Sequence, residues 1–134
     1  MAKEYHIFIS HSWGYSQYLE NLRTLLKERS YFNVEFEEPT VIEPINSTNA
    51  EYIKRKIKEK LNKSNIVLAI AGMYASYSDW IEWKLDCAKG LGLPIVGIIP
   101  WRQERISSVV YSHSKEDVRW NTESIVKAIR KWAS

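Results

Sequence analysis

The hydrophobic positions of this 134-residue chain switch repeatedly between a period of two and a period near 3.6, which predicts strands and helices in alternation. Residues 5–10 (YHIFIS) are aromatic and β-branched over a short span ending in a polar residue, the pattern of a buried strand. After the turn SHSWGYS, Tyr18, Leu19, Leu22, Leu25 and Leu26 recur at helical spacing and predict a helix over 16–29. In 33–37, Val34 and Phe36 alternate with Glu35 and Glu37, as in a strand at a sheet edge. Pro39 and Pro44 make 38–47 a loop, and Ser47, Thr48 and Asn49 offer caps for a helix running to about Asn62. Residues 65–72 (NIVLAIAG) are almost continuously apolar, so this strand is covered on both faces and belongs at the centre. A helix over 77–90 ends in Gly-Leu-Gly-Leu-Pro, where Gly90 or Gly92 supplies a left-handed cap and Pro94 prevents continuation. Because this Gly-x-Gly closes a helix, it is a cap and not a dinucleotide fingerprint. Residues 95–99 (IVGII) form the next strand, and Pro100 ends it. The stretch 102–117 is the least periodic, with a short helix around 104–110 and no strand that stands out. A last helix starts at Asn121 or Thr122, with Ile125, Ile129 and Trp132 on its apolar stripe.

Strands alternating with helices predict a parallel sheet with right-handed crossovers and helices on both faces. The expected fold is one α/β domain over 1–134, a flavodoxin-like doubly wound five-stranded sheet of order 2-1-3-4-5. In that order the chain reverses direction between the first and third strands, and ligands bind there, outside the carboxyl ends. Ser10, His11, Ser12 and Trp13 then share a crevice with Ala71, Gly72, Met73 and Tyr74.

Composition narrows the class only modestly. Apolar residues at 45% and charged residues at 26% are those of a folding globular chain. The apolar runs are far shorter than the ~20 residues a membrane span needs, and the amino terminus enters a strand pattern with no signal-peptide pattern, so a cytoplasmic protein with no membrane partner is expected. Cys87 is the only cysteine and excludes an internal disulfide, while His6, His11 and His113 lack metal-ligand spacing, so no metal is expected. A net charge of +3 is too small to imply nucleic acid. Lys54, Arg55, Lys56, Lys58, Lys60 and Lys63 are threaded by Ile53, Ile57 and Leu61. That spacing describes an amphipathic helix whose lysines face water, with phosphate binding as the alternative.

The residues at the crevice discriminate among doubly wound families. A phosphoacceptor receiver needs acidic residues after strand one and an aspartate after strand three; Ser10-His11 and Ala71-Gly72 stand there instead. Ser10, Ser12, Gly14 and Ser16 faintly imitate a flavin-phosphate loop, but His11 and Trp13 are bulky for a tight cradle. Three segments taken together, 6–13 (HIFISHSW), 78–85 (SDWIEWKL) and 92–101 (GLPIVGIIPW), resemble in order and spacing the bacterial TIR-like domains that include the ThsB component of the Thoeris anti-phage system. The resemblance covers nearly the whole chain. It implies NAD as substrate, cleavage of its nicotinamide–ribose bond, and an ADP-ribose-derived signal reaching a separate effector protein. It also implies assembly with other TIR domains through the loop at 38–47.

The resemblance further implies a glutamate four residues after the first helix tryptophan, Trp80, and this chain has Lys84 there. Loss of nicotinamide develops positive charge on the ribose, which a carboxylate stabilises and an ammonium opposes. Glu82 is no substitute, because residues two apart on a helix point about 200° apart. Helical spacing groups Trp80, Lys84, Cys87, Ala88 and Leu91 on one stripe, which is read as the apolar face, with Lys84 interrupting it. The site residues expected are therefore Lys84 at the catalytic position and Ser10, His11, Ser12, Trp13 and Trp80 around the substrate. Each also has an ordinary structural reading: a lysine stem packed with its charge in water, a histidine bonded to backbone, tryptophans in the core, serines capping a turn. Trp101 and Arg102 follow strand four and reach toward the same edge, whereas Cys87 reads as a small buried apolar residue.

Overall fold

The computed structural model describes residues 4–10, 16–30, 32–37, 50–71, 79–100 and 108–133, setting aside the side chains of 16, 17, 50, 79, 80 and 108. Five strands, β1 (Glu4–Ser10), β2 (Asn33–Phe36), β3 (Ile66–Ile70), β4 (Ile95–Ile99) and β5 (Glu116–Arg119), form one parallel sheet of order β2-β1-β3-β4-β5. The intervening helices are α1 (Ser16–Lys27), α2 (Ala50–Asn62), α3 (Asp79–Gly90), α4 (Ser108–His113) and α5 (Thr122–Trp132). This is the expected doubly wound, flavodoxin-like order.

β3 is buried along its whole length at the centre, while β2 alternates between exposed and half-buried positions at the edge. Asn65 brackets the start of β3: its Oδ1 accepts from the His6 amide at 2.9 Å, and its own amide donates to the His6 carbonyl at 2.7 Å. Ile7 and Ile9 of β1 join one core with Leu19, Leu22 and Leu26 of α1 and Ile125, Val126 and Ile129 of α5. Phe8 points the other way, as strand alternation requires, into a second core with Ile53, Ile57 and Leu61 of α2, Ile81, Leu85 and Ala88 of α3 and Val110 of α4. Each fully buried Ile, Leu or Phe contributes about 1.5–3 kcal/mol, so the two layers hold the sheet from both sides.

The region that looked aperiodic contains β5, and its helix lies at Ser108–His113, a few residues beyond the stretch expected. The strand, EDVR, has one apolar residue, Val118, because as the second edge strand it buries little. Gly97 in β4 makes room for it, since a Cβ there would collide with the Asp117 carboxylate and lie 3.0 Å from Val110 Cγ1. That carboxylate accepts from Ser114 Oγ at 2.7 Å. One residue earlier, the Trp132 indole donates to Glu116 Oε1 at 2.9 Å and ties α5 to β5.

Helix α3 ends in a Schellman arrangement: the Gly92 amide donates to Lys89 O at 3.1 Å and the Leu93 amide to Ala88 O at 3.0 Å. Gly92 has φ +79°, so it is the left-handed cap, and Gly90 is the last helical residue with open space around it. Gly92→Ala is expected to destabilise the protein by about 1 kcal/mol, and Gly90→Ala to be neutral or stabilising by up to about 1 kcal/mol. Urea unfolding of both variants checks this; equal effects would remove the assignment of the cap to Gly92.

Asn121 caps α5, its Oδ1 accepting from the Ser124 amide at 3.0 Å. In the first turn of that helix, Glu123 takes two hydrogen bonds from Arg29, at 2.6 and 3.0 Å, which hold its carboxyl below the usual glutamate range against a smaller opposing effect of desolvation. A lowered pKa in the folded state makes this contribution present above the ordinary glutamate range and lost as the pH falls through the folded value. The melting temperatures of the native chain and Glu123→Gln are therefore expected to differ at pH 7 and to converge toward pH 3.

Candidate functional site

In a parallel sheet every strand ends at the same edge, and each following helix begins there. β1 ends at Ser10, which is paired in register with Ala69 of β3. Ser10 shares the direction of Phe8 and so faces the α2–α3 layer. It is fully buried, and its Oγ has no hydrogen-bond partner among the described residues. A buried hydroxyl without a partner costs about 1–3 kcal/mol. Among the described residues this hydroxyl is unsatisfied, and it stands at the carboxyl end of β1, beside β3, the edge at which open α/β sheets bind ligands.

Helix α3 supplies the neighbouring wall. Its buried stripe is Ile81, Leu85 and Ala88, which corrects the expected apolar face of Trp80, Lys84, Cys87, Ala88 and Leu91. Leu91 is 45% exposed, Cys87 and Lys84 are half-buried, and of the five only Ala88 is buried among the described side chains. Spacing identifies rows along a helix, but contact with the sheet decides which row is inside, and here it is the row one position away. Lys84 thus flanks the buried stripe, one turn beyond the start of α3. Glu82 is exposed, and Asp86 is bound by His113, whose Nε2 lies 2.5 Å from Asp86 Oδ1 while its Nδ1 lies 2.7 Å from the Val109 carbonyl. Neither carboxylate stands in for the residue at position 84.

The backbone of Trp80 lies in the first turn of α3. Its side chain, together with His11, Ser12, Trp13, Gly72, Met73, Tyr74, Trp101, Arg102 and the loop at 38–47, lies outside the described residues. His6 is placed between Glu37, at 3.3 Å, and Glu4, at 3.4 Å. Burial pushes the Cys87 thiol above its ordinary range, with the Lys58 ammonium opposing, so it is not an activated nucleophile. An open groove of about 500 Å3 lined by Glu4, Lys27, Phe32, Asn33 and Val34 sits at the amino ends of β1 and β2, opposite the crevice.

One residue of α3 was not singled out from sequence. Trp83 is half-buried beside α2, with Lys54 Nζ 5.7 Å and Lys58 Nζ 6.0 Å from its ring centroid. The i, i+4 spacing of the two lysines was a legible signal of a shared face; that this face meets Trp83 depends on how α2 packs against α3.

The fold defines a class: a doubly wound parallel α/β domain of strand order β2-β1-β3-β4-β5. The sequence profile of the family described as Thoeris protein ThsB, TIR-like domain, matches residues 8–105, and the chain belongs to that family. Among curated proteins none matches it in sequence. Solved structures of similar fold include the Clostridium botulinum CMP N-glycosidase BcmB, at 11% identity and TM-score 0.56, covering 93% of this chain and 98% of that one. The Aquifex aeolicus Era protein bound to GDP and aluminium fluoride is similar at 16% identity and TM-score 0.64, covering 98% of this chain and 57% of that one. A Lactobacillus acidophilus NCFM flavoprotein in complex with FMN is similar at 12% identity and TM-score 0.53, covering 97% and 99%. At these identities the likeness is one of fold.

The absence of a partner at Ser10 is testable through stability. Ser10→Ala is expected to leave the unfolding free energy unchanged or raise it by about 1 kcal/mol, whereas Ser64→Ala, which removes a hydroxyl bonded to Lys60 O at 2.8 Å, is expected to lower it by about 1 kcal/mol. A loss at Ser10 equal to that at Ser64 would mean that its hydroxyl is satisfied within the protein.

Proposed function

We propose that this chain is a TIR-like domain of cytoplasmic anti-phage defence whose crevice between β1 and β3 takes NAD, and that the reaction belonging to this site breaks the nicotinamide–ribose bond to yield an ADP-ribose-derived signal for a separate effector. The observation that carries the reading is the buried Ser10 Oγ at the carboxyl end of β1, unpartnered among the described residues. Membership of the Thoeris ThsB family supports it. The similar fold of a CMP N-glycosidase is compatible with N-glycosidic chemistry on a nucleotide.

In this reading Ser10 anchors a polar atom of the substrate, and the α3 flank faces the ribose. As nicotinamide leaves, positive charge grows on the sugar. At ~4 Å and an effective dielectric near 20, a unit charge there interacts with the position-84 side chain by about 4 kcal/mol. Loss of that stabilisation alone lowers the rate roughly a thousandfold, and an ammonium in its place opposes the charge further. Lys84 therefore makes this chain a binder of NAD with turnover suppressed.

A second reading rests on the same residue: with Lys84 the domain serves without chemistry, as a module that assembles with other TIR domains. Incubating the protein and its Lys84→Glu variant with NAD and measuring free nicotinamide separates the two. Release from the Glu variant only, at a rate at least a thousandfold above the parent, is expected. Release from neither, with assembly of the chain demonstrated, leaves the assembly module; rapid release from the parent chain overturns the role given to position 84.

A further inference from the structure

The positive charge of this protein is concentrated on one helix. Between Ala50 and Lys63 six cations face two carboxylates, a net of +4, which exceeds the +3 of the whole chain, so the remainder sums to −1. Ile53, Ile57 and Leu61 are buried, which fixes α2 with its cationic side outward. The pairs Lys54–Glu51 and Lys56–Glu59, each 3.8 Å, neutralise only part of it, and Lys58 meets no carboxylate within ion-pair reach among the described residues.

Two of these cations are gathered rather than spread. Lys54 and Lys58, one helical turn apart, both fold toward the Trp83 indole on α3, at 5.7 and 6.0 Å. Like charges at i, i+4 repel, and the repulsion is relieved by an anion held between them. α2 and α3 both begin at the carboxyl edge of the sheet, so along their helices Lys54 and Trp83 each lie about one turn from that edge and Lys58 about two.

From this arrangement we infer that Lys54, Lys58 and Trp83 form a phosphate-binding wall beside the crevice, and that the ligand of this protein is a phosphorylated one, recognised through a pyrophosphate or phosphate ester. The wall rests on the proposed reading for its place beside a nucleotide site, but its chemistry stands on the lysines and the indole alone. It selects nucleotides over nucleosides, and its field draws anions toward the crevice, with a strength that falls as salt rises.

Titration of the full chain with inorganic pyrophosphate at low ionic strength, followed by calorimetry and by the indole N–H resonance of Trp83, tests this. In the parent the Trp83 resonance is expected to shift. In Lys54→Gln/Lys58→Gln the dissociation constant is expected to rise about tenfold. A control, Lys115→Gln/Lys127→Gln, removes the same charge from exposed positions away from α2 and is expected to change it less than about twofold. Nicotinamide riboside, which lacks phosphate, is expected to be indifferent to both changes. No shift at Trp83, or equal losses in the two double variants, overturns the wall. Pyrophosphate binding at Trp83 together with no nicotinamide release from Lys84→Glu sustains the wall and removes the proposed reaction. Release with a KM for NAD unaffected by Lys54→Gln/Lys58→Gln sustains the reaction and removes the wall.

Discussion

A parallel sheet exposes no face that water can be left to cover, and this constraint organises the protein. β3 is apolar at every position, so helices must lie on both sides of it: α1 and α5 on one, α2, α3 and α4 on the other. Right-handed crossovers then bring every strand to a common carboxyl edge and start every helix there. The crevice follows from that connectivity, because the chain leaves β1 toward one face and β3 toward the other. Among the described residues, Ser10 Oγ is the buried side-chain polar atom left without a hydrogen-bond partner.

The same packing sets which faces of α3 are buried. The helix commits Ile81, Leu85 and Ala88 to the core, which leaves the neighbouring row, with Lys84, half-buried beside it. In the proposed reaction, the charge Lys84 carries is opposite to the one that stabilises loss of nicotinamide. Glu82 and Asp86 do not offset it, the first being exposed and the second bound to His113.

Helix α2 adds a second electrostatic element to the same side of the molecule. Its apolar row is committed to the core, so its lysines serve the surface, and two of them converge on Trp83. The proposed wall and the buried hydroxyl of Ser10 together would suit a ligand with an anionic part and a hydrogen-bonding part.

The order of elements, the central place of β3, the edge character of β2, the capped end of α3 and the family were all legible in the residues, because each depends on local periodicity, turn chemistry or short motifs. β5 was not, since an edge strand that buries one apolar side chain carries almost no periodic signal, and its place is determined by pairing with β4 over Gly97. Nor was the buried row of α3: the sequence presented two adjacent rows, each with apolar residues, and only contact with the sheet selected Ile81, Leu85 and Ala88. The lone hydroxyl of Ser10 and the meeting of Lys54 and Lys58 with Trp83 are likewise tertiary facts. Local sequence determined which residues stood at the end of β1 and along α2 and α3; long-range packing decided which of them were left without a partner and which were brought together.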